Sequence, residues 1–71
     1  MPIKLAVCDD HRLVVSGIRN ALSVCDHIHV IADYSSGKEL LDGLAIEQPD
    51  ILLLDIQLPD ITGTELAGII S

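Results

Sequence analysis

Apolar positions along this chain alternate between short continuous runs and a helical repeat. The first run, Ile3-Lys4-Leu5-Ala6-Val7, is apolar except at Lys4 and β-branched at its ends, as a strand is. After Asp9-Asp10-His11, residues Val14, Val15, Ile18, Ala21, Leu22 and Cys25 recur at helical spacing, with Ser16, Arg19, Asn20 and Ser23 on the other face. Asp10 or His11 stands at that helix's N-cap. His27 to Asp33 partly alternates polar and apolar, the pattern of an edge strand. Ser36-Gly37-Lys38-Glu39 reads as a capping box, in which Ser and Glu side chains each satisfy a backbone N–H. It opens a second helix that buries Leu40, Leu41, Leu44 and Ala45 and is stopped by Pro49. Ile51 to Leu54, between Gln48-Pro49 and Pro59-Asp60, reads as a strand buried on both faces. Leu58-Pro59-Asp60-Ile61 forms a loop, and Thr62-Gly63-Thr64-Glu65 is a second capping box. The third helix runs through Leu66, Ala67, Ile69 and Ile70 and reaches Ser71 without a stop signal.

The predicted order is β-α-β-α-β-α, with connections long enough for right-handed crossovers. An edge-like second strand and a buried third place the first strand between them, in the order 2-1-3. The chain then turns back after the second strand, which puts the first two helices on opposite faces of a parallel sheet. With 71 residues this is at most one domain. A chain of that size buries only about 60% of its unfolded surface, so the core must be efficient. Branched aliphatics supply it, since the sequence has one Tyr and neither Phe nor Trp.

No apolar run approaches the roughly 18 residues of a membrane span, and no signal-like segment precedes the first strand, so the expected location is the cytoplasm. A net charge of −7 with four Lys or Arg argues against binding nucleic acid or an anionic membrane, and favours a site for a cation. Cys8 and Cys25 match no metal or redox spacing and read as reduced, small buried hydrophobes.

Chemistry concentrates where strands end. The first strand leads into Asp9-Asp10 and the third into Asp55. In open α/β sheets the ligand lies beyond the carboxyl ends of the strands, where strand order reverses. Adjacent first and third strands would therefore gather all three carboxylates, with oxygens within about 7 Å of one another. Taken singly, an Asp-Asp pair before a helix is explained by capping and helix-dipole complementation. Together the three repel unless a hard divalent cation such as Mg²⁺ neutralises them, and Asp55 becomes a candidate nucleophile toward phosphorus. His11, His27 and His29 read as surface or strand-face residues, and Gly37 and Gly63 as parts of capping boxes.

Val7-Cys8-Asp9-Asp10-His11 with Gly17-Ile18, and Leu53-Leu54-Asp55-Ile56-Gln57-Leu58-Pro59 with Gly63, resemble the receiver domain of two-component response regulators. The His after the acidic pair and the Gly-Ile beyond it are most similar to receivers fused to a LuxR-type helix-turn-helix output domain. The resemblance implies a flavodoxin-like fold and a signalling module rather than an enzyme. Asp55 would accept a phosphoryl group from a sensor histidine kinase, and Asp9, Asp10, Asp55 and the backbone carbonyl of Gln57 would hold Mg²⁺. It implies that Pro59 and Gly63 shape the loop beneath the site, and that DNA is reached only through an output domain outside this chain. Leu58 stands where the family usually has Met, a swap of similar volume. The family's fourth and fifth strands, with their Ser or Thr, Lys and aromatic residue, have no counterpart here, and Lys4 and Lys38 lie in the wrong segments for that Lys. Residues 1–71 thus resemble the N-terminal part of one receiver, in which phosphoryl labelling should be weak or absent. The third strand becomes a free apolar edge, expected to pair with a second copy or with a remainder of the protein. Two alternatives stand beside this reading. One is a pseudo-receiver serving only protein contacts. The other is an aspartyl-nucleophile phosphohydrolase, whose expected Asp-x-Asp is broken by Asp55-Ile56-Gln57.

Overall fold

Every predicted element forms, and the shifts are at the ends. The structure, a computed structural model, describes residues 2–70. Its elements are β1 (Ile3–Cys8), α1 (Arg12–Leu22), β2 (Ile28–Tyr34), α2 (Gly37–Leu44), β3 (Ile51–Leu54) and α3 (Gly63–Ile70). The strands make one parallel sheet in the order β2-β1-β3. Its registry positions the site: Cys8 lies opposite both Tyr34 and Leu54, so the three strands finish level. The ladder continues one step further, with the Asp9 N–H donating to the Tyr34 carbonyl and the Asp55 N–H to the Cys8 carbonyl, each at 2.9 Å. This continuation extends β1 and β2 each one residue past the predicted ends. A register shift between Leu5 and Ala6 skips Ile31 on β2, the kind of bulge common on edge strands.

Central placement buries Leu5, Ala6, Val7 and Cys8 of β1 on both faces. Cys8 packs with Leu40 of α2 and Leu66 of α3, joined by Tyr34, Leu52, Leu54 and Ile61, so α2 and α3 share one face. Fully burying each leucine contributes roughly 1.5–3 kcal/mol. Val7 points to the other face by strand alternation, and lines a shallow cleft with Ile18 of α1 and Leu53 of β3. The helices therefore flank the sheet on both sides.

Several burial expectations are corrected. β3 is covered on one face only: Leu52 and Leu54 join the α2/α3 core, whereas Ile51 and Leu53 are 46% and 43% exposed. The reason is that α1 packs toward β2 and leaves β3 bare on that side. Val14 and Ala21 of α1, Leu41 of α2 and Ala45 just after it are exposed rather than buried, because each apolar stripe is wider than the surface it meets. In α3, through which the apolar pattern runs without assigning burial, Ala67, Ile69 and Ile70 are exposed, and Ser71 lies outside the described residues. α2 ends at Leu44, ahead of Pro49, as the Gly43 carbonyl accepts the Ile46 and Glu47 N–H groups in a closing turn.

Capping also differs in detail. Ser36 Oγ accepts the Glu39 N–H at 3.1 Å, and Thr62 Oγ1 accepts the Glu65 N–H at 3.2 Å. Glu39 does not reach back to a backbone N–H; its carboxylate takes the hydroxyls of Ser35 and Ser36. Asp60, from the loop after β3, caps the same helix start from outside, accepting the N–H groups of Gly37 and Lys38 at 2.8 and 3.0 Å. One loop is thereby tied to the start of α2. No helix among the described residues is long and apolar enough to cross a membrane.

Candidate functional site

Because β1 and β3 are neighbours and finish level, the residues that follow them meet. One ligating atom from each of Asp9, Asp10, His11 and Asp55 lies within 4.8 Å of all the others. The three carboxylates converge as the strand ends required. Asp9 and Asp55 are mostly enclosed, at 16% and 21% side-chain exposure, and Asp10 is more open at 40%. Asp55 Oδ1 accepts the Gln57 N–H at 3.3 Å, and Asp55 Oδ2 is shut from solvent without a hydrogen-bond partner among the described residues. A buried carboxylate oxygen without a hydrogen bond is costly, and is a sign of a site built for a charged partner.

Gln57 lies in the wall of an open cleft of ≈ 510 Å³ with Asp10, His11, Asp55, Leu58 and Pro59. The loop folds back through an antiparallel bridge between Gln57 and Thr62, and the Gly63 N–H donates to the Ile56 carbonyl. Gly63 is more than a capping-box residue: a Cβ there would collide with the Asp55 carbonyl. Only glycine lets α3 start this close to the strand end that carries Asp55.

Sequence reasoning missed His11. Its ring is largely exposed, as expected of a surface residue, but Nδ1 lies 2.7 Å from Asp9 Oδ1, 3.2 Å from Asp10 Oδ1 and 3.6 Å from Asp55 Oδ2. The available signal was its place two residues after Asp9, where an Asx-type turn forms and the His11 N–H donates to Asp9 Oδ1 at 2.8 Å. The electrostatics follow. The Asp9 hydrogen bond, with the charges of Asp10, Asp9 and Asp55, raises the His11 pKa above its ordinary 6.5. For Asp9, burial acts to raise the pKa but is outweighed by the His11 backbone and ring hydrogen bonds, which leave it below 3.8. His27 and His29 take no part in the cluster. Cys8 beneath it has its pKa pushed up to about 11 by burial, then by Asp60, Glu39, Asp55 and Asp9, so it stays a neutral thiol.

Three hard oxygen donors around one point suit a small divalent cation, and the unsatisfied Asp55 oxygen fits that donor set. Fold and site together define an open parallel α/β domain with an acidic rim at the carboxyl ends of its strands. The chain belongs to the response regulator receiver domain family, whose profile matches residues 5–71. It is 39% identical over 64 residues to the transcriptional regulatory protein UhpA of Escherichia coli K12, an alignment covering 90% of this chain and 33% of UhpA. Among solved structures it superposes on the signal receiver domain of NarL from Mycobacterium tuberculosis with a TM-score of 0.88 at 29% identity, covering 97% of this chain and 56% of that one. A LuxR-family two-component response regulator from Aurantimonas gives 0.88 at 26%, covering 99% and 50%. The chain thus spans about a third of its curated relative.

Proposed function

We propose that Asp55 accepts a phosphoryl group from the phosphohistidine of a sensor histidine kinase. Asp9, Asp10, Asp55 and the backbone carbonyl of Gln57 would hold Mg²⁺ beside it. The observation that carries this reading is the enclosed Asp55 Oδ2, without a hydrogen bond among the described residues, within a cluster of three carboxylates. A carboxylate oxygen of Asp55 attacks phosphorus, the P–N bond breaks, and its electron pair stays on the departing imidazole. The product is an acyl phosphate. Bound Mg²⁺ would supply positive charge that lets an anionic phosphoryl group approach anionic carboxylates. This chain's residues do the rest: Asp9 stays ionised because its pKa is low, Gly63 lets the loop close under Asp55, and Pro59 lines the cleft beside it.

Residues 1–71 are read as the N-terminal part of one receiver domain, working in the cytoplasm and controlling a DNA-binding, transcriptional output. Coverage of 50–56% of the related chains and the likeness to a transcriptional regulator support this. The test is to treat the native gene product carrying these residues with Mg²⁺ and a small phosphodonor. A base-labile, hydroxylamine-sensitive phosphoryl group is expected, absent in Asp55→Asn. Undiminished labelling of that variant removes Asp55 from the role; no labelling of the unaltered protein favours a module for protein contacts alone.

A further inference from the structure

His11 occupies the N-cap of α1, yet its side chain makes no capping bond. That position normally carries a short oxygen-bearing side chain that turns back onto the helix. Here the ring turns the other way, and one nitrogen sits against oxygens of Asp9, Asp10 and Asp55 at 2.7, 3.2 and 3.6 Å. Those are the three side chains that would ligate a cation. A hard ion such as Mg²⁺ takes oxygen ligands at about 2.1 Å, so it would need the carboxylate lone pairs toward which this nitrogen points. A carboxylate oxygen can accept an N–H and ligate a metal at once, but this nitrogen stands among the three oxygens, in the space an ion bound to all of them would take. The contact requires only an Nδ1–H, which the neutral ring also offers. Among the described residues nothing else holds the ring: it is 65% exposed, and its side-chain polar contacts are with these carboxylates.

We infer that His11 is a latch on the acidic site, a positioning residue that gathers the carboxylates in the free protein and must swing out before a divalent cation enters. The inference rests on the proposed Mg²⁺ site. His11 sets the cation affinity without contributing a ligand, and it already lines the open Asp10–Pro59 cleft, which gives the ring room to move.

The experiment titrates Mg²⁺ into the native protein, His11→Ala and His11→Ser at one pH, by calorimetry, and follows the His11 ring signals by NMR. His11→Ser keeps a good N-cap residue, so a folding defect in the alanine variant is separated from the effect sought. Both variants are expected to bind Mg²⁺ about two- to five-fold more tightly, the scale of one exposed charge-assisted contact. In the native protein the His11 ring signals should shift in step with the amides around Asp55. Equal affinities with an unmoved ring overturn the latch and leave the site reading intact, and weaker binding by both variants makes the ring a ligand instead. Absence of Mg²⁺ binding in all three proteins overturns the site reading, and the latch with it.

Discussion

At Gly63 a single missing carbon decides the shape of the site. Its Cβ would enter the space of the Asp55 carbonyl, and neither backbone segment can yield without moving the strand end or the first turn of α3. Gly63→Ala should cost about 1–3 kcal/mol in chemical denaturation, the range for overpacking a tight contact, and should displace Asp55 from Asp9. A variant of native stability would show that the loop relaxes. His11 carries a prediction in pH. Its raised pKa means that the contact with the carboxylates stabilises the fold fully below pH 6.5 and fades as pH rises through the raised value. Asp9, with a lowered pKa, contributes above 3.8 and loses that contribution as pH falls through its lower folded value. The stability gap between the native protein and His11→Ala should therefore be largest on the acid side of neutrality and narrow as pH rises through the raised His11 value. A gap that widens with rising pH contradicts the assignment.

The order of elements was legible because each apolar run has one period and because Ser36 and Thr62, capping their own helices, mark α2 and α3 directly. Coverage was less legible. Ile51-Leu52-Leu53-Leu54 reads as buried on both faces, but a strand's sequence records the surroundings it suits, and here α1 stands over β2 instead. β3 is bonded to β1 on one side, and its other edge carries no strand among the described residues. The bare face adds Ile51 and Leu53 to an apolar, uncharged edge, a surface prone to pair with another chain. By light scattering the 71-residue chain should self-associate at micromolar concentration. Salt should strengthen the association by screening the net charge of −7 that sets copies apart. Leu53→Lys should shift it toward monomer. A cooperatively folded monomer at that concentration contradicts the expectation.

Across the whole molecule, convergence of Asp9, Asp10 and Asp55 could be read before any coordinates, since it needs only two neighbouring parallel strands that end in carboxylates. His11 and Asp60 could not. Both act through geometry that crosses element boundaries, His11 by folding back over the rim and Asp60 by capping α2 from the loop after β3. Local pattern assigns such residues to surface and turn. The acidic rim, the glycine beneath it and the family membership bear on one claim, that Asp55 is the phosphoryl acceptor. Borohydride reduction tests it directly, because it converts an aspartyl phosphate to homoserine whose position peptide mass spectrometry then reads. After treatment of the native gene product with phosphodonor and Mg²⁺, homoserine is predicted at position 55, with Asp9 and Asp10 unchanged. Homoserine at position 9 or 10, or incorporated phosphate with Asp55 intact, would contradict the account.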